Sequence, residues 1–215
     1  NGIPLPKNRK FVIPYFSEEL VKKQVACAKQ VADVIIASCH WGYEDTFGVN
    51  SEQKKYANLM CELGVDVVLG MHPHVIQPME WMTSESGHKS LVVYSLGNFV
   101  SGMVAGKNML AGMLSLDIIK DAESGEITIE NPLFIPTVTH YEKKGSVASN
   151  DTGYRNFKIC YLSDYTEEQA ASHGVCIYEL SKGPTLVNGR FSKQTLIDTL
   201  LKYIPAEFLP EEFQQ

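Results

Sequence analysis

The sequence predicts an α/β layered sheet, and three observations carry that prediction. Short apolar runs alternate with amphipathic helical stretches through the first half of the chain, their connections are short, and each run stops on a polar tail. Continuous apolar runs mark strands buried on both faces, and their alternation with helices marks a parallel sheet.

Taken in order, residues 17–32 read as a helix. Ser17 caps it, Glu18 and Glu19 suit the positive end of its dipole, and Val21, Val25, Ala28 and Ala32 form one stripe. Val34-Ile35-Ile36-Ala37-Ser38-Cys39 follows as the first strand and ends on His40-Trp41-Gly42. The pattern repeats. Asn50 and Gln53 make a capping box, and Tyr56, Leu59, Met60 and Leu63 line one helix face closed by Gly64. Val65-Asp66-Val67-Val68-Leu69-Gly70 is the second strand and runs into Met71-His72-Pro73-His74. Residues 91–95 form the third, ending on Leu96-Gly97-Asn98-Phe99.

Beyond Gly112 the character changes. Residues 113–120 and 126–134 read as antiparallel strands joined by the turn Glu123-Ser124-Gly125. Residues 166–173 make a short capped helix stopped by Gly174, and 193–203 make a last helix stopped by Pro205. Residues 211–215 read as a frayed tail.

Composition narrows the function classes. With 215 residues, 44% of them hydrophobic, the chain suits one large domain or a domain with an appendage. A net charge of −6 and no basic stripe argue against nucleic-acid binding, and Lys143–Lys144 reads as a solvated loop. Five cysteines without CxxC spacing argue against a disulfide framework and a zinc knuckle. Cys27, Cys39 and Cys61 sit in apolar runs, where a free thiol behaves as a small core residue. No apolar run approaches the ~20 residues that span a bilayer. The opening Asn1-Gly2-Ile3-Pro4 is loop chemistry and lacks Met.

Ligands of open α/β sheets bind beyond the carboxyl ends of the strands. Three successive strands end there in His40-Trp41-Gly42, His72-Pro73-His74 and Gly97-Asn98-Phe99, which makes His40, His72 and His74 candidate metal ligands. Two histidines one residue apart can share a metal site, and Pro73 stiffens the turn between them. Imidazole suits zinc, manganese or iron. A two-metal centre also needs a bridging carboxylate, and the nearby acids Glu44, Asp45 and Glu80 do not sit at strand ends. Glu44 is a candidate proton donor or a plain surface acid. Asn98 either holds a phosphate or carboxylate oxygen or closes an Asx-turn. Trp41 and Tyr43 either wall a substrate groove or, for Trp41, pack the core. His88, His140 and His173 read as ordinary surface residues.

Three segments also resemble a known family. They are Ala37-Ser38-Cys39-His40-Trp41-Gly42-Tyr43-Glu44, the run from Gly64 through Met71-His72-Pro73-His74 to Pro78, and Tyr94-Ser95-Leu96-Gly97-Asn98-Phe99-Val100. In this order they resemble the CapA family of bacterial poly-gamma-glutamate capsule synthesis proteins, over roughly residues 1–180. The resemblance implies a calcineurin-like metallophosphoesterase-type fold, a layered β-sandwich flanked by helices with two divalent metal ions at strand ends. It makes His40 a metal ligand. Gly70 through His74 is similar to the closing Gly-His-x-His motif, with Met71 at a position the family often fills with His, and His72 and His74 serve opposite members of the metal pair. The family's Gly-Asp, Asn-Leu-Glu and Asn-Asn-His motifs are missing here.

The expectation is therefore the C-terminal part of the domain at residues 1–180, with an extension carrying one helix at 181–215. An N-terminal half of about 150 or more residues would be the main partner and would supply the remaining ligands. The implied activity is a metal-dependent hydrolase or transferase on a phosphoester or an anionic polymer. The alternative is a non-enzymatic cell-surface scaffold that guides exported polymer. The resemblance also implies other capsule-synthesis proteins as partners and an extracytoplasmic, membrane-anchored full-length protein.

Overall fold

The computed structural model of the protein describes residues 15–143, 153–186 and 188–214, together with Asn8. Asn1 to Pro4 and Lys144 therefore lie outside the described residues, whereas Lys143 ends a strand. The elements run α1 (Glu18–Ala28), β1 (Ile36–His40), α2 (Ser51–Glu62), β2 (Val67–Met71), β3 (Ile76–Thr83), β4 (Lys89–Leu96), β5 (Leu110–Lys120), β6 (Ile127–Lys143), β7 (Tyr154–Tyr161), α3 (Glu167–Ser172), α4 (Gly174–Lys182) and α5 (Lys193–Tyr203). The described residues form a mixed α/β structure with two sheets.

The first sheet has the order β1-β2-β4-β3, with β1, β2 and β4 parallel and β3 antiparallel to β4. Side chains alternate along these strands, and the alternation assigns them to two cores. Val68, Val92 and Tyr94 meet Val21 and Val25 of α1 and Tyr56, Ala57 and Met60 of α2. On the other face Val67, Leu91 and Val93 meet Leu110, Phe134 and Val138 of the second sheet and Leu196 and Leu200 of α5. This two-sided burial is why the parallel strands are apolar throughout. β3 was not expected, because Pro78 interrupts its run. Pro78 is tolerated since β3 is an edge strand, where a missing N–H breaks no ladder.

Helix caps follow the sequence closely. Ser17 Oγ accepts from Leu20 N at 3.2 Å, and Asn50 and Gln53 close a reciprocal capping box. α1 stops at Ala28 rather than Ala32, in a tightened turn where Gln30 N donates to Cys27 O. Cys27 is exposed, contrary to expectation, because it lies two residues from Val25 and off the buried face. Cys39 and Cys61 are core residues.

β5, β6 and β7 form the antiparallel second sheet. Its predicted hairpin is present, and the Asp121 carboxylate accepts from the backbone N–H groups of Glu123 and Ser124. β6 continues to Lys143, past the expected end at Phe134, and β7 was not anticipated.

The C-terminal region departs most from expectation. Gly174 starts α4 rather than stopping a helix, and a Cβ there would lie 2.2 Å from the Tyr141 ring. His173 caps α4: its Nδ1 accepts from Val175 N at 3.0 Å, and its Nε2 donates to Thr139 O at 3.0 Å. His140 and His173 are buried, not surface residues, and His140 Nδ1 lies 2.7 Å from the Tyr165 hydroxyl. His88 is half-buried, with Nε2 3.1 Å from Val65 O. Residues 211–213 form a 3₁₀ turn that buries Phe213 against the core rather than a frayed tail. Leu196, Leu200, Ile204 and Phe208 share the core of β3 and β4.

Two outcomes follow. Burial lowers the His173 pKa to about 4, and only the neutral ring can accept from Val175 while donating to Thr139. The unfolded chain therefore binds the proton first. Stability should fall as pH drops from 6.5 toward 4, by up to about 3 kcal/mol, and urea titrations of wild type and His173→Phe across that range check it. Gly70 is the second case. A Cβ there would stand 1.9 Å from Tyr94 O and 2.4 Å from Trp41 Nε1, so Gly70→Ala should cost about 3 kcal/mol in equilibrium unfolding.

Candidate metal centre

The parallel register pairs His40 with Met71, so β1 and β2 end side by side, and β4 ends beside β2. His72-Pro73-His74 and Gly97-Asn98 therefore emerge at one sheet edge. The His40 and His72 rings lie 4.4 Å apart between centroids, and those of His72 and His74 lie 5.9 Å apart. Glu44 arrives from the loop after β1. Its carboxylate and the ring nitrogens of His72 and His74 all lie within 4.8 Å of one another. The spatial argument thus adds Glu44 to the histidines, a placement its position away from a strand end did not suggest.

The turn that carries His72 and His74 is strained. His72 has φ 105° and His74 has φ 59°, in the region that favours glycine. Three polar contacts hold it there. Asp45 N donates to Pro73 O at 2.8 Å, and the side-chain amides of Asn108 and Asn98 donate to His74 O at 3.0 and 3.3 Å. Asn108 also donates to Asp45 Oδ1 at 2.9 Å, and Lys107 Nζ sits 3.4 Å from the same oxygen. The loop bearing Glu44 is pinned from below by Gln77, whose Nε2 donates to Thr46 O and Gly48 O at 2.8 and 2.9 Å. Gln53 Nε2 donates in turn to Gln77 Oε1 at 2.8 Å.

The electrostatics favour ligation. Burial, and then the charge of His40, hold the His72 pKa below the usual histidine range, while Glu44 opposes them. Neutral imidazole is the form that binds metal. Burial pushes the neighbouring Cys39 thiol up to about 12, so no thiolate competes near neutral pH.

Some sequence-predicted roles change. Trp41 is 5% exposed, stacks between Phe16 and Tyr94, and donates from Nε1 to Tyr94 O at 2.9 Å. It is a core residue and walls no groove. Asn98 is 7% exposed, with Oδ1 2.7 Å from His74 Nδ1 and Nδ2 directed at the carbonyls of His74 and Asn108. Its carboxamide is engaged by contacts within the chain. Tyr43 is 67% exposed at the rim, and Glu80 instead accepts from the Tyr94 hydroxyl at 2.8 Å. Asn108, Gln53 and Gln77 were missed as site-supporting residues. Only Gln53 carried a signal, as a helix cap.

Residues 3–103 match the family described as bacterial capsule synthesis protein PGA_cap. This segment is similar to that family. All of His40, Glu44, His72, His74 and Asn98 fall within the matched family segment, whereas Asn108 lies beyond it. Among similar proteins, the PGA biosynthesis protein CapA of Bacillus subtilis (strain 168) is 34% identical over 99 residues, covering 46% of this chain and 24% of that protein. The capsule biosynthesis protein CapA of Bacillus anthracis is 33% identical over 86 residues, covering 38% of this chain and 20% of that protein. The chain thus matches a quarter or less of the length of these CapA relatives.

The strained turn has a measurable signature. Glycine reaches positive φ without the Cβ penalty, so His72→Gly should be more stable than His72→Ala by about 1–2 kcal/mol in urea denaturation. Equal stabilities would mean that the turn relaxes once the imidazole is gone.

Proposed function

We propose that this chain supplies the histidine-bearing part of a two-metal site in a protein of capsular poly-gamma-glutamate biosynthesis. The full site would act as a hydrolase or transferase on a phosphoester or an anionic polymer. One observation carries this reading: Glu44, His72 and His74 converge within 4.8 Å, with His40 packed on His72. Imidazole nitrogens and one carboxylate fit zinc, manganese or iron. Divalent cations in such a site supply Lewis-acid polarisation and a nucleophile active near neutral pH.

The chain's own residues have distinct tasks on this reading. His72 and His74 would present ring nitrogens from a turn set in advance, and His40 would complete the row at the sheet edge. Glu44, exposed at the rim, lies within reach of both a cation and a substrate proton. Tyr43, beside it and also exposed, is the remaining candidate for contact with substrate.

Two ions need more donors than these four residues provide. We assign the remainder to an N-terminal half of the same domain, in the layered arrangement of calcineurin-like metallophosphoesterases. Two features support that assignment. α1 and α2 cover one face of the first sheet and the second sheet covers the other, while β1 pairs only with β2 among the described residues. The full-length protein would work outside the cytoplasm beside other capsule-synthesis proteins. No described helix is long and apolar enough to cross a membrane, so an anchor would come from elsewhere in that protein.

A second reading, a scaffold that guides polymer without turnover, draws on the single cluster of three donors among the described residues. Metal analysis of the full-length protein separates the two. The enzyme reading expects stoichiometric divalent metal, with metal and hydrolysis both lost in His72→Ala. Full occupancy without turnover of phosphoesters or peptides supports the scaffold, and a full-length protein that retains no metal overturns both metal-based readings.

A further inference from the structure

We propose that Asn98 is a positioning residue of this centre: its carboxamide holds His74 as the Nδ1–H tautomer and, together with Asn108, locks the strained turn before any ion arrives. The inference rests on reading His74 as a metal ligand.

The hydrogen-bond geometry fixes the direction of the contact. Asn98 Nδ2 faces two carbonyl oxygens, His74 O at 3.3 Å and Asn108 O at 3.4 Å, and these only accept. Turning the amide over would set its oxygen against both carbonyls and lose both bonds. The remaining oxygen, Oδ1, therefore faces His74 Nδ1 at 2.7 Å and must receive a proton from it. With Nδ1 protonated, the lone pair of the neutral ring is on Nε2. A metal-ligating histidine commonly has its second nitrogen held in this way, and losing the partner typically costs 10–100-fold in metal affinity.

Asn98 is itself rigidly placed. Gly97, with φ 75°, turns the chain after β4, and a Cβ there would lie 2.8 Å from Leu110 O. Thr139 Oγ1 of β6 donates to the backbone oxygens of Asn98 and Phe99 at 3.4 and 3.0 Å. Asn98 is 7% exposed, so water has little access to replace its contacts. Asn108 extends the clamp by donating both to His74 O and to Asp45 Oδ1, which ties the histidine turn to the loop carrying Glu44. Thr139 of the second sheet and Asn108 just ahead of β5 thereby help to fix the amide that meets the His74 ring.

The test uses the full-length protein with zinc as the probe. Asn98→Leu keeps the size of the side chain and removes every polar contact, whereas Asn98→Asp keeps an acceptor for Nδ1–H. Competition calorimetry should show zinc affinity 10–100-fold weaker in Asn98→Leu and partly restored in Asn98→Asp, which keeps the acceptor for Nδ1–H and loses the two carbonyl contacts. Nitrogen NMR of the metal-free wild type should show His74 protonated at Nδ1. A folded Asn98→Leu protein that binds zinc like wild type, or a metal-free His74 protonated at Nε2, overturns the proposal. A wild type that binds no zinc yet shows the Nδ1–H ring overturns the ligand reading and leaves the positioning contact standing. If Asn98→Leu does not fold, the wild-type spectrum and the Asn98→Asp affinity still decide.

Discussion

The indole N–H of Trp41 reaches across β2 to the carbonyl of Tyr94, and the edge of the first sheet depends on that bond. Trp41 follows β1 and Tyr94 belongs to β4, so one hydrogen bond joins the strands on either side of β2. It passes over Gly70, where any side chain would collide with both partners. The bond is buried, so water does not compete for it, and an unmet indole N–H or carbonyl would be costly. Met71 O accepts from Trp41 N at 3.0 Å just beyond, which extends the parallel ladder by one rung. The histidines leave the sheet from this fixed line, and that is why residues 32 positions apart in sequence, His40 and His72, stack their rings.

Above that line the site is held by neutral amides. The side chains of Gln53, Gln77 and Asn98 each donate and accept at once, that of Asn108 donates twice, and all four are buried. A carboxamide can bridge a carbonyl and a second acceptor without the desolvation cost of a charge. Charged groups are kept to the exposed side, where Lys107 meets Asp45 and Glu44 faces solvent. This division keeps charge away from the buried amides and leaves the rim polar. It also explains how His72 and His74 stay at positive φ, because three separate donors would have to let go before the turn could relax.

Much of this frame was legible in the sequence, for physical reasons. A strand buried on both faces must be apolar throughout, so β1, β2 and β4 stood out, and their common direction put the histidines on one edge. Caps at Ser17, Asn50 and Thr166 are local and readable. What stayed hidden was non-local or ambiguous. Pro78 disguised β3, and Gly174 looked like a stop when it is a close-packing position beneath Tyr141. His140 and His173 gave no sign of burial, because their partners Tyr165 and Thr139 are 25 and 34 residues away. Asn98 stood at the right place, yet its role depends on Asn108 and His74, which no pattern linked to it.

The charge of the site also bears on its substrate. The whole chain carries −6, which repels a polyanion at a distance. Locally the sum differs. On the proposed reading, a dication ligated by three imidazoles and one carboxylate would keep half of its charge uncompensated, and a second ion would leave more. Attraction would then be confined to within a Debye length of about 8–10 Å from the ions. An anionic chain would thus be held only where its charged group enters the centre, and the rest of the surface would keep it from lying down elsewhere. On the proposed reading, loss of metal would remove that attraction and leave only repulsion, which would couple polymer binding to the histidine turn that Asn98 and Asn108 contact.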